Sequence, residues 1–233
     1  MKISGFLKQS LIDYPGNIAS VVFTSGCNFR CFYCHNPELV LPELIQQNPI
    51  LDTDDILNYL ENNKQLLDAV VITGGEPSIH KDLPDFIKQI KQLGLLVKLD
   101  TNGTNPKMIT KLIKNNLVDY IAMDIKAKLT LRKYGEIVGS EFSFTNMDRV
   151  LESVKLIQQS TVKYEFRTTI VKPNHTVEDI MEISNAISGN YYLQEYNDQK
   201  TLKNNLGKSC FSETELASIL DTKNELVNIQ LRN

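Results

Sequence analysis

Six short apolar runs, rich in β-branched residues, recur along the chain: Ile18 to Thr24, Ala69 to Thr73, Leu95 to Leu99, Tyr120 to Ile125, Tyr164 to Val171 and Tyr191 to Tyr196. Each is unbroken and of strand length, as expected of strands buried on both faces. Helical periodicity separates them. It is clearest where Leu83, Phe86, Ile87, Ile90 and Leu93 share one face, Lys88, Gln89, Lys91 and Gln92 take the other, and Gly94 supplies a stop. Asn105 with Pro106 opens another helix before Ile109, Leu112 and Ile113, and Thr176 opens one before Ile180 and Ile187. Ser212 with Glu215 reads as a capping box.

This repeated βα rhythm predicts an α/β fold with a parallel sheet covered by helices. Six units are two short of a closed (β/α)8 barrel, so a partial, open (β/α)6 barrel of the TIM type is expected. The first 17 residues, ending in Asp13-Tyr14-Pro15-Gly16, read as a hairpin ahead of the first strand. No linker interrupts the rhythm. The expectation is a single domain over 1–233, with a barrel core at 18–197 and a weakly patterned extension at 198–233.

The 233 residues are 42% hydrophobic, enough for a substantial core. A formal net charge of −3 gives no electrostatic reason to expect nucleic acid or an anionic membrane as partner. The first ten residues lack the apolar stretch of a signal peptide, and no run approaches the ~18 residues that span a bilayer. A cytoplasmic location is the expectation. Three of the four cysteines, Cys27, Cys31 and Cys34, fall within eight residues, while Cys210 stands alone and reads as a packed or surface thiol. Clustered thiols in a reduced compartment suggest a metal rather than disulfides.

Polar and unusual residues follow the strands. The cysteines follow the first, Gly74-Gly75-Glu76-Pro77 the second and Asp100-Thr101-Asn102-Gly103 the third, and Asp124-Ile125-Lys126 closes the fourth. Arg167 lies within the fifth run, and Gln194, Glu195 and Asn197 mark the end of the sixth. A parallel barrel assembles its active site at that rim. The spacing Cys27-x3-Cys31-x2-Cys34 suits three corners of an iron–sulfur cube whose fourth iron has no nearby cysteine and stays open to a ligand. The competing arrangement is a structural zinc on the three cysteines and His35. It requires the consecutive residues Cys34 and His35 both to turn inward. His80 and His175 sit in polar stretches and read as surface residues.

The segment from Ser25 to Glu38, with the aromatic Tyr33 before its third cysteine, resembles the signature of radical S-adenosylmethionine enzymes. Cys34-His-Asn-Pro-Glu, Leu99-Asp-Thr-Asn-Gly and Met123-Asp-Ile-Lys look like glycyl-radical-enzyme activases. The opening Gly5 to Gly16 is similar to the activating protein of anaerobic ribonucleoside-triphosphate reductase. The resemblance implies a 4Fe–4S cluster on Cys27, Cys31 and Cys34, with S-adenosylmethionine on the open iron. One electron from a flavodoxin or ferredoxin then yields a 5′-deoxyadenosyl radical that takes hydrogen from a glycine of a large partner enzyme.

Cofactor-binding positions implied by the same resemblance are Tyr33, Gly74, Gly75, Glu76, Asp100, Thr101, Asn102, Asp124, Lys126, Arg167 and Asn197. Gly74 and Gly75 would let the backbone approach the methionyl end, and Glu76 would meet its ammonium. Asp100, Thr101, Asp124 and the carbonyl of Ala122 match positions that hold a monovalent cation in some activases. Asn197 stands where the pyruvate formate-lyase activase pattern has histidine, which points away from that target. Alternative readings are an activase of another glycyl-radical enzyme, a small-molecule radical enzyme such as a deazapurine synthase, and a zinc-stabilised binding module without catalysis.

Overall fold

In a computed structural model, residues 1–139, 141–196, 201–202, 211–221 and 226–232 are described. They form an eight-stranded sheet in the order β1 to β8. Six strands fall on the expected runs: β2 (Ala19–Thr24), β3 (Ala69–Gly74), β4 (Leu96–Thr101), β5 (Tyr120–Asp124), β6 (Lys163–Ile170) and β7 (Gly189–Glu195). These six pair in parallel with their sequence neighbours. The expected hairpin is present, with β1 (Ile3–Ser10) running antiparallel to β2.

The far edge was not anticipated. Strand β8 (Val227–Arg232) extends the sheet in parallel beside β7. Its alternation of Val, Ile and Leu with Asn, Gln and Arg is the period of a half-exposed strand, in a stretch where only a helix start had been read. The end strands β1 and β8 do not pair with each other, so the barrel is open.

Helices α1 (Pro42–Ile45), α2 (Thr53–Asn63), α3 (Leu83–Gln92), α4 (Pro106–Lys114), α5 (Leu131–Val138), α6 (Phe144–Gln158), α7 (Val177–Ala186) and α8 (Glu213–Leu220) fill the connections. The predicted starts are realised. Asn105 Oδ1 accepts from the Met108 amide, and Thr176 with Asp179 and Ser212 with Glu215 form reciprocal capping boxes. The β5–β6 connection carries two helices, α5 and α6, where one had been expected.

The sheet separates two apolar layers. On the convex face Ile72, Leu99, Ile121, Met123 and Phe166 pack with helix residues such as Leu83, Ile87, Ile109 and Val150. Each fully buried aliphatic side chain there contributes about 1.5 to 3 kcal/mol. On the concave face Ala19, Val21, Ala69, Val71 and Ala122 are small, and Tyr14 from the hairpin packs on Tyr120, with ring centroids 5.6 Å apart. Above this floor the concave face turns polar, which positions the site. Among the described residues, no helix is long and apolar enough to cross a membrane.

Candidate functional site

At the C-terminal ends of the strands a cavity of about 200 Å³ is lined by the three clustered cysteines, Tyr33, His35, Gly74, Gly75, Glu76, Asp100, Thr101, Asn102, Asp124 and Lys126. Every site residue expected from sequence therefore meets at one rim, except two. Arg167 does not line the cavity but bonds the acids of its wall. Asn197 falls outside the described residues, as does Cys210.

The cysteine loop is held by its surroundings. The amides of Arg30 and Phe32 donate to the carbonyls of Val138 and Ile137 at 2.8 and 3.3 Å, using carbonyls that the end of α5 leaves free. Behind it, Phe29, Tyr134 and Phe142 form an aromatic cluster, with Tyr134 stacked on Phe142 at 5.1 Å. From the opposite side the Leu202 amide donates to the Cys34 carbonyl at 3.0 Å. Burial is the main reason that the Cys27 and Cys31 thiols are pushed up to about 12 and that the Cys34 thiol also rises. Metal loading must therefore expel protons and is favoured at higher pH.

Gly74 and Gly75 serve a packing need that the sequence did not disclose. A Cβ on Gly75 would lie 2.1 Å from the Gly26 carbonyl oxygen, and one on Gly74, whose φ is +107°, would lie 2.5 Å from the Thr24 backbone. Their absent side chains let the end of β3 close on the cysteine loop, where Gly75 N donates to Thr24 O and Glu76 N to Gly26 O, both at 2.8 Å. Glu76 is buried. Its Oε1 accepts from Thr101 Oγ1 at 2.7 Å and Ser78 N at 3.0 Å, and its Oε2 from Asn102 N at 2.7 Å. Burial raises its pKa even against those bonds. Asn28 in the cysteine loop accepts from Asn102 Nδ2 at 2.9 Å and donates to Thr104 Oγ1 at 2.8 Å, joining the first and third rim loops.

The wall from β4 to β6 is ionic. Asp124 bonds Lys126 Nζ and Arg167 Nε, each at 3.0 Å. Asp100 bonds Lys98 Nζ at 2.6 Å and Arg167 Nη1 at 3.2 Å. Burial works to raise both acids. Arg167 with Lys126 overcomes it and brings Asp124 down to about 2, while Arg167 with Lys98 lowers Asp100. Lys126 is held charged chiefly by Asp124, against the cost of its burial. Glu165, two residues before Arg167 on β6, is not among the ion-pair partners of Arg167. It accepts from Arg232 Nη1 and Nη2 at 2.7 and 2.9 Å and from the Tyr120 hydroxyl at 2.8 Å.

Two residues were misjudged or missed. His175 is buried rather than on the surface: its Nε2 donates to the Lys126 carbonyl at 2.9 Å, and its Nδ1 accepts from the Val171 amide at 3.1 Å. The polar neighbours of His175 conceal this, because its partner lies 49 residues away. Lys98 was absorbed into the third apolar run, yet a charged residue between buried Val97 and Leu99 is itself a signal.

Residues 21–187, well over half of the chain, match the radical SAM superfamily. The chain belongs to that superfamily. Two proteins of Methanocaldococcus jannaschii, provisionally named glycyl-radical enzyme activating enzymes, are similar to it in sequence. One is 36% identical over 191 residues, covering 79% of this chain and 75% of the relative. The other is 31% identical over 168 residues, covering 70% of this chain and 58% of the relative. SuiB of Streptococcus suis, solved bound to S-adenosylmethionine, superposes on the radical SAM fold described here with a TM-score of 0.69. At 17% identity, covering 91% of this chain and 50% of SuiB, that likeness is one of fold.

The superfamily implies a 4Fe–4S cluster and S-adenosylmethionine, and the residues present fit both. Three thiols share one cavity. Among the described residues the Tyr33 hydroxyl is buried without a hydrogen-bond partner, a lack that a polar ligand in the cavity would meet.

Proposed function

We propose that this chain activates a glycyl-radical enzyme, with anaerobic ribonucleoside-triphosphate reductase as the partner. The observation that carries the reading is one open-sided rim joining three thiols, an unpartnered buried hydroxyl and an ion-paired wall. The relatives' names support a glycyl-radical enzyme as partner, and the similarity of Gly5 to Gly16 to the reductase-activating protein favours the reductase among them.

Cys27, Cys31 and Cys34 would hold three irons of the cluster, leaving the fourth to the cofactor. When bound, cluster and cofactor together supply one-electron cleavage of a carbon–sulfur bond, with flavodoxin or ferredoxin as electron donor. The chain's own residues position and protect. Tyr33 offers its hydroxyl to the cofactor. Glu76 fixes the β4 loop through Thr101 and Asn102 and turns its remaining acceptor capacity toward the cavity. Asp100, Asp124 and Lys126 present a charged wall held in place by Arg167. The gap between β1 and β8 gives a partner's glycine loop a lateral way in, which a closed barrel lacks.

The test is electron paramagnetic resonance on the full chain mixed with reductant, S-adenosylmethionine and the reductase under nitrogen. A glycine-centred doublet is expected. Its absence with the reductase but presence with another glycyl-radical enzyme would reassign the partner, and its absence with all of them would reject the activase reading. Metal analysis separates the zinc module: near four irons with sulfide favours the enzyme, near one zinc the module.

A further inference from the structure

A monovalent cation between Asp100, Thr101, Asp124 and the Ala122 carbonyl would meet side-chain oxygens that each already accept a hydrogen bond from a protein donor. The two oxygens of Asp100 accept from Lys98 and Arg167, and the two of Asp124 from Arg167 and Lys126. Thr101 Oγ1 donates to Glu76 and accepts from the Gly103 amide at 3.2 Å. Two carboxylates thus face three protein cations, and each carboxylate oxygen already meets one. A further cation would sit against Arg167 and Lys98 where the dielectric is low and repulsion strong.

Lys98 decides the balance. Arg167 alone would serve two acids, leaving Asp100 Oδ1 exposed to whatever cation could enter. The Lys98 side chain, 2% exposed and 2.6 Å from that oxygen, closes the position from within the barrel. It is tethered to β4, so it cannot dissociate as a solution ion can.

We infer that the chain carries its own counter-cation, with the Lys98 ammonium standing where a monovalent ion would otherwise sit, and recruits no such ion. Lys98 is then a positioning residue: it holds Asp100, which with Asp124 fixes Arg167 beneath the cavity wall. The inference meets the proposed function only through the wall that both describe, and it is tested without any turnover.

The measurement is thermal unfolding of the full chain in potassium, sodium or tetramethylammonium chloride at equal ionic strength, the last cation being too large to enter between two carboxylates. The unsubstituted chain should unfold within about 1 °C in all three salts, since an ion that does not bind gives no linkage. Lys98→Met should become cation-dependent. A rise of about 3 to 6 °C in potassium over tetramethylammonium is the shift that a tenfold excess of ion over its Kd gives a chain of this size. Lys98→Gln, which keeps a polar head, repeats the test should the methionine variant fail to fold. Stabilisation of the unsubstituted chain by sodium or potassium would overturn the inference. Equal unfolding temperatures of the variants in all salts would remove Lys98 from the role. Loss of activase function would leave every one of these readings intact, so the two proposals fail separately.

Discussion

The two faces of the same sheet are built on opposite rules. On the convex face, buried aliphatics meet helices, and what matters is volume and apolarity. On the concave face, small residues and a pair of tyrosines make a floor, Lys98, Asp100, Arg167, Asp124 and Lys126 form one linked set of ion pairs, and Glu165 and Arg232 form a separate pair. The first face tolerates apolar side chains that fill the space. The second admits only partners of the right charge at the right position, because removing one leaves a desolvated charge behind. A strand alternates between these demands residue by residue, as Lys98, Leu99 and Asp100 show.

The sharpest break of this contrast is a matched pair of substitutions to methionine. Arg167→Met should cost about 3 to 5 kcal/mol, because Asp100 and Asp124 lose a shared partner. Leu99→Met, of similar volume on the convex face, should cost less than about 1.5 kcal/mol. Urea unfolding compares them, and equal costs would mean that the two faces do not differ as described. Next in size is Arg232→Met. It deprives Glu165, whose side chain is 0% exposed, of two charged hydrogen bonds and should cost about 1.5 to 3 kcal/mol. A negligible loss would show that β8 is not stitched to the barrel by this pair.

His175 should add a smaller, pH-dependent effect. Burial lowers its pKa, so the unfolded chain binds its proton more readily than the folded one. Stability from the neutral ring is complete above the unfolded pKa of about 6.5 and falls as pH drops below it. His35 and His80 are lowered in the same sense, so His175→Gln should flatten the decline between about pH 7 and 5 without abolishing it. An unchanged slope would count against the buried neutral ring. Smallest of all is Tyr33→Phe. Its hydroxyl has no partner among the described residues, so stability of the cofactor-free chain should change by less than about 1 kcal/mol, while equilibrium binding of S-adenosylmethionine weakens by about fivefold or more. A large loss of stability with unchanged binding would move the hydroxyl from the ligand to the fold.

Apolar runs located β2 to β7 within a residue or two, since a strand buried on both faces has no polar position to obscure it. The edge strand β8 escaped because its concave-side residues are Asn, Gln and Arg, which break the run. The rim was legible for a similar reason: polar residues directly after buried strands are costly unless used. His175 was not legible as a buried group, since nothing sets it apart without knowing what lies across the barrel, whereas Lys98 stands out within its apolar run.

The sequence by itself determined where β2 to β7 form, at which end of the sheet the candidate site residues gather and that three thiols share one loop, because these follow from local periodicity and spacing. Only the tertiary structure decided which acids meet Arg167 and why Gly74 and Gly75 must lack side chains. Those depend on distances between residues tens of positions apart, which strand register and loop closure set and chain order does not.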